Sequence, residues 1–185
     1  MSTVTRSPRR SVADRARADT DAILYHWREA VPHDRLAHLV KDATRAFVRA
    51  LATRLAVHGV SFGHWAFLRV LWERDGLTQK ALSVEVGVME PTTFAAVTAM
   101  ERAGYVARRH KPGNRKSVHV HLTRKGRALK SKLVPLAEAV NAIGVAGVSI
   151  ENVAVTRNVL LAIIDNLAAA EAESPHLPKD ATTPP

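Results

Sequence analysis

"LTQKALSVEVGVMEPTTFAAVTAMERAGYVARRHKPGNRKSVHVHLTRKG", Leu77 to Gly126, changes its periodicity once, and that change decides the fold. Up to Gly104 the apolar residues recur at helical spacing, whereas beyond it they alternate as in strands. Thr78 can cap a helix that reaches about Glu85, and Gly87 can take the backbone angles of the sharp turn that follows. Pro91 suits the first turn of the next helix, where its missing N–H would have been an orphan anyway. Val106, then Val118, Val120 and Leu122, fall on alternate positions of two strands, with Lys111-Pro112-Gly113-Asn114 as the turn between them. Helix, Gly turn and helix followed by a basic hairpin is the layout of a winged helix-turn-helix.

Before this stretch, Leu36, Val40, Ala43, Phe47, Leu51 and Leu55 describe one face of a long helix ended by Gly59. Phe62, Trp65, Leu68 or Arg69, and Trp72 describe a second helix, with Ser61 as N-cap and Asp75-Gly76 as the closing turn. After it, Thr123 can cap a helix carrying Leu129, Leu133, Leu136, Val140 and Ile143, in which Pro135 should introduce a kink. Residues 144–149, "GVAGVS", break that run, and Val155, Val159 or Leu160, Ile163 and Leu167 mark a last helix. The apolar stripes at both ends exceed what the small middle section can cover, so the terminal helices are expected to pack on each other and on a second copy.

The expected fold class is therefore mainly α with a small two-stranded β wing (α+β). Residues 1–20 read as a mobile basic arm and 173–185 as a disordered tail. Residues 21–58 and 127–172 form the helical dimerisation region, and residues 59–126 form the winged helix-turn-helix.

With 27 Lys and Arg against 17 Asp and Glu, the 185-residue chain carries a net charge of +10, which draws it to polyanions. Having no cysteine, it has no disulfide and no thiol nucleophile, which fits a cytoplasmic protein. No window reaches the roughly 18 apolar residues of a membrane span, so no membrane partner is expected. No Gly-rich phosphate loop, nucleophile elbow or plausibly spaced carboxylate pair is present, so neither an enzyme nor a cofactor is expected.

The stretch from Leu77 onwards resembles the MarR family of bacterial transcription regulators, and the resemblance extends from about Leu36 to Leu167. The family shows a Leu-Thr opening, a reading helix ending in Leu-Glu-x-x-Gly-Leu-Val, an acidic-Arg-Arg wing tip, and Leu-Thr-x-x-Gly into the next helix. Here Met100 and Tyr105 stand at leucine positions, and Asn114-Arg115-Lys116 stands at the wing tip. Asn114 can accept a hydrogen bond but cannot pair ionically with its neighbouring arginine, so Arg115 is less restrained. The resemblance implies a homodimeric regulator of transcription, a repressor released from a pseudo-palindromic double-stranded operator by a small effector. A winged-helix protein-interaction module and a sequence-independent architectural DNA-binding protein are the competing readings.

On the reading helix, Phe94, Val97 and Met100 are expected to face the core, leaving Thr92, Ala95, Ala96, Ala99 and Arg102 outward with Thr93 and Thr98 at the margins. Few of these can make bidentate base contacts, although Thr and Ala can touch thymine methyls. Arg115, with Lys111 and Asn114 beside it, is the candidate minor-groove probe. Lys80, Arg102, Arg108, Arg109 and Lys116 are candidate phosphate contacts.

Two weaker signals complete the reading. His26, Trp27, His58, His64, Trp65 and Arg69 are the candidate ligand pocket, where an aromatic face beside a cation would suit an aromatic acid or aryl thioester. His110, His119 and His121 could gather on the wing as zinc ligands, but solvated wing residues are the preferred reading and no metal is expected.

Overall fold

The computed structural model describes residues 36–111 and 114–173, together with Arg17, Thr20, Asp21, Ile23, Leu24 and Tyr25. The side chains of residues 111–116 are outside the description. The elements are α1 (Leu36–Ala56), α2 (Phe62–Glu73), β1 (Leu77–Thr78), α3 (Gln79–Val86), α4 (Glu90–Arg102), β2 (Val106–Lys111), β3 (Asn114–Leu122), α5 (Arg124–Gly144) and α6 (Ile150–Glu173). The described N-terminal residues, Arg17 and Thr20 included, are helical, so ordered structure enters the segment expected to be a mobile arm. The tail beyond Glu173 lies outside the described residues.

The element boundaries follow local chemistry. Ser61 Oγ accepts from His64 N at 3.1 Å and Thr78 Oγ1 from Ala81 N at 3.1 Å, so each hydroxyl satisfies a backbone donor that its helix leaves orphaned. Gly87 ends α3 in the left-handed region at φ 73°, a conformation a side chain would resist. Pro91 occupies the first turn of α4. Thr123 Oγ1 accepts from Gly126 N at 3.0 Å and so caps α5. That helix runs as one element from Arg124 to Gly144 with Pro135 inside it.

One element escaped the sequence reading. Leu77 and Thr78 pair with Val120 and His119, which makes the wing a three-stranded antiparallel sheet in the order β1-β3-β2 rather than a two-stranded ribbon. On the other side of β3, Val106 pairs with Leu122 and His110 with Val118, and the register shifts between His110 and Lys111.

The chain divides into two compact units between Arg127 and Ala128. In the first, Leu55, Val60, Phe67, Leu68, Leu71, Leu82, Val97, Met100, Val106 and Val120 are at most 3% exposed and form the core. The sequence reading set α1 apart from the winged domain, but this helix lies in the same unit and buries Leu51 and Leu55. In the second unit Leu133 and Val140 are buried, whereas no residue of α6 is. Helix α6 is 24 residues long with mean hydropathy 1.5 over its most apolar window, which by length and composition alone would cross a membrane. Counting uninterrupted apolar runs missed it, because Asn152, Thr156, Arg157 and Asn158 break the run without lowering the average enough.

Candidate nucleic-acid interface

Helix α4 turns one arc to the core and the other to solvent. Thr93, Val97 and Met100 are buried. Thr92, Phe94, Ala95 and Arg102 are exposed, and Ala96, Thr98 and Ala99 are half-buried. Two expectations are corrected here. Phe94 does not face the core but is 56% exposed, and Thr93, expected at the DNA margin, is fully buried. Thr93 can replace Phe94 inside because its hydroxyl donates to Met89 O at 3.4 Å, so no polar atom is left unsatisfied.

Strand β2 leaves the end of α4 through Gly104, and a forked ion pair ties the two elements together. Glu101 Oε1 accepts from Arg108 N at 3.0 Å, while Oε2 accepts from Arg108 Nε at 2.9 Å and lies 2.7 Å from NH2. Arg108 NH2 also donates to Thr98 Oγ1 at 3.4 Å. The Glu101 carboxyl is held below its usual range, first by the Arg108 backbone N–H, then by the Arg108 side-chain hydrogen bond, with burial opposing both. Arg108 was expected to clamp a phosphate, yet its Nε and NH2 are committed within the protein. Its Cζ also lies 5.4 Å from the centroid of the Phe94 ring.

The other sequence candidates fall in several places. Arg102 and Arg109 are exposed, and Arg109 is paired across the ladder with His119. Lys80 is exposed on the first turn of α3. Lys111, Asn114, Arg115 and Lys116 lie at the facing ends of β2 and β3, but their side chains are outside the description. Lys125, outside the candidate set, donates to Ala103 O at 2.8 Å and covers the Tyr105 ring at 4.9 Å.

The wing histidines are not three solvated imidazoles. His119 is 8% exposed, with Nδ1 2.8 Å from Gly76 O and Nε2 3.1 Å from Ser117 Oγ. Because a carbonyl only accepts, Nδ1 carries a proton in this arrangement, and Nε2 shares a hydrogen bond with Ser117 Oγ. His121 lies 3.9 Å from Asp75. Among the described residues no group of three or more His, Asp or Glu is placed to hold a metal ion.

The ligand candidates differ in burial and in whether the structure describes them. His26 and Trp27 lie outside the described residues, and His58 and Arg69 are exposed. Trp65 is 6% exposed and meets Trp72 edge-on at 5.6 Å. The His64 ring stands edge-on to Tyr105 at 6.3 Å, and its buried Nδ1 has no hydrogen-bond partner among the described residues. Burial lowers the His64 pKa, which favours the neutral ring. A cavity of about 220 Å³ lies elsewhere, lined by Ile23, Asp42, Arg45 and Arg49.

A half-exposed helix with an adjoining basic hairpin defines the winged helix-turn-helix class of DNA-binding proteins. Residues 60–118 match the MarR family. The chain is 29% identical over 167 residues to the HTH-type transcriptional regulator TtmR of Methylorubrum extorquens, spanning 90% of this chain and 77% of that one. A MarR transcriptional regulator from Methanosarcina mazei superposes with TM-score 0.68 at 21% identity, covering 80% of this chain and 99% of its own. A MarR-family regulator from Listeria monocytogenes, solved with a 26mer DNA, superposes with TM-score 0.67 at 18% identity over 74% and 91% of the two chains. Over its winged-helix segment the chain is thus similar to MarR-family transcriptional regulators, and it shares their fold.

Proposed function

We propose that this protein is a homodimeric, effector-responsive repressor that places α4 of each protomer in the major groove of a pseudo-palindromic operator. The observation that carries the reading is the exposed arc of α4, from Thr92 to Arg102, set beside the basic hairpin within one compact unit. The DNA complex of the Listeria relative supports the same use of the fold. Dimerisation is supported by α6, whose Val155, Val159, Leu160, Leu161, Ile164 and Leu167 are 39–62% exposed, more apolar surface than a helix in water leaves uncovered. The effector is a small aromatic acid or thioester, for which the unpartnered His64 Nδ1 beside Tyr105 offers a polar contact. Binding of effector shifts the dimer between two separations of its reading helices.

Footprinting on DNA beside the protein's own gene tests the DNA reading. A protected palindrome is expected; a uniform smear would support an architectural protein, and no protection a protein-binding module. In gel-shift titrations Arg115→Ala should lower affinity and flatten preference for A·T flanks. Lys116→Ala should weaken all sequences alike and reduce the log–log salt slope by about 0.9. Sedimentation without detergent should give a dimer, whereas a requirement for detergent would point α6 at a membrane. Calorimetry with benzoate-type acids and their thioesters tests the effector, and no heat with operator binding intact would remove it.

A further inference from the structure

Phe94 is the largest apolar side chain on the exposed arc of α4, and its exposure there is unexplained by packing. Its neighbours on the helix, Thr93 and Val97, are fully buried, so Phe94 faces outward because of where it stands on the helix. One side of the ring is covered by the Arg108 guanidinium at 5.4 Å, and that guanidinium is fixed by Glu101 at 2.7–2.9 Å and touches Thr98 at 3.4 Å. A cation so held has little freedom, and its attraction for the ring face orients the ring as well. The result is a braced aromatic edge between β2 and α4, flanked on the helix by Ala95 and Thr98, which present methyl groups.

A fixed apolar edge on a surface that otherwise attracts DNA needs an apolar counterpart in the groove. The major groove offers one such group, the C5-methyl of thymine, and every other base edge there presents hydrogen-bonding atoms. A bare phosphate would gain nothing from the ring, and the cation beside it is already neutralised by Glu101. We infer that Phe94 determines specificity by packing against a thymine methyl, and that Arg108 is a positioning residue which braces the ring instead of clamping a phosphate. This inference rests on the reading that α4 enters the major groove.

The test uses the full-length protein and duplexes selected from a random-sequence library. Thymines of the selected duplex are replaced one at a time by deoxyuridine, which removes only the methyl, and affinity is followed by fluorescence anisotropy at fixed salt. Wild-type protein should lose about fourfold at one thymine in each half-site, the value of one buried carbon. Phe94→Ala should bind both versions at that position equally, and Phe94→Leu should retain part of the discrimination. Arg108→Gln should weaken discrimination at the same thymine while leaving the salt slope unchanged, whereas loss of a phosphate clamp would reduce that slope by about 0.9. Because Phe94 is half-exposed, its replacement should leave the unfolding midpoint near that of the wild type. The inference is overturned if Phe94→Ala keeps the full fourfold difference, or if no thymine of the selected site is sensitive to its methyl. A library that yields no preferred sequence would overturn the groove-reading function itself, and this inference with it.

Discussion

Gly126→Ala is the substitution whose outcome the structure fixes most sharply, because two effects of opposite sign meet there. Alanine is the better helix former, by up to about 1 kcal/mol in a helix interior. Against this, Gly126 is buried in the first turn of α5, and a Cβ placed on it runs into the carbonyl oxygen of Tyr105, 3.0 Å from the carbonyl carbon and 3.2 Å from Leu122 Cδ2. Non-bonded carbons rest at about 3.5–4.0 Å, so the contact must open by a large part of an ångström or more.

Neither side of that contact can yield cheaply. Tyr105 O accepts from Thr123 N at 3.0 Å and from Thr123 Oγ1 at 3.1 Å, Tyr105 N donates to Met100 O at 2.9 Å, and the phenol donates to Gly59 O at 3.1 Å. On the other side, Gly126 O accepts from Trp72 Nε1 at 3.0 Å. Opening the contact strains the Thr123 and Trp72 bonds, each contributing about 1 kcal/mol, on top of about 1–3 kcal/mol for overpacking. After subtracting the propensity gain, the net loss is about 2–4 kcal/mol, or roughly 4–16 °C in Tm for a chain of this length. Gly63→Ala in α2 is the matched control, since among the described residues its Cβ would meet only Ser61 Oγ at 3.9 Å. It should be neutral or stabilising by up to about 1 kcal/mol. Thermal unfolding by circular dichroism measures both, at one protein concentration because the Tm of the proposed dimer would depend on it. A Gly126→Ala midpoint equal to or above the wild type's would refute the close approach of α5 to Tyr105.

Two further outcomes follow from titrating groups. The Glu101 carboxyl is depressed below 4.5 in the folded protein, so its contribution is complete above pH 4.5 and disappears as pH falls through the folded value. Between pH 6 and 3 the wild-type unfolding midpoint should therefore fall further than that of Glu101→Gln, and parallel curves would remove the forked pair as a stabilising contact. His64 is depressed below 6.5 by burial, so the unfolded chain takes up its proton first, and stability is lost as pH falls from 6.5 toward the folded value. His64→Gln should flatten the midpoint in that range, and an unchanged slope would place the titrating group elsewhere.

The parts of the fold that were legible in the sequence are those set by one residue's chemistry. Ser61, Thr78 and Thr123 announce helix starts because a hydroxyl before an apolar run has an orphan donor within reach, and Gly59 and Gly87 announce stops because the backbone there has positive φ. Strand β1 was illegible because two residues cannot display an alternation. That omission carried another with it: without β1 beside it His119 looks solvated, whereas the third strand places it against Gly76 O. The orientation of α4 failed for a different reason. Phe94-Val97-Met100 and Thr93-Val97-Met100 are both helical stripes, and apolarity favours the first. Only the back-bond from Thr93 to Met89 O, a three-dimensional fact, makes the second the better core.

The same distinction governs how the positive charge is used. The run from Arg108 to Lys125 looks uniform in sequence, yet Arg108 is consumed by Glu101 and Lys125 by Ala103 O and the Tyr105 ring, while Arg127 just beyond it lies 3.2 Å from Asp75. Neither arginine contributes much to the attraction for phosphate, because a neighbouring carboxylate offsets its field; Lys125 keeps its charge but is hydrogen-bonded to Ala103 O. They instead fix β2 and α5 against the end of α4 and the turn before β1. On the proposed DNA reading, long-range attraction then falls to exposed groups such as Lys80, Arg102 and Arg109, whereas selectivity must come from a helix face with few donors. On that reading α4 has to be held rigidly, since methyl and shape contacts discriminate only at close and fixed separation. The internal use of Arg108 is consistent with that requirement: it removes one charge from the electrostatic footprint and adds stiffness beside Phe94, where the inferred contact would be made.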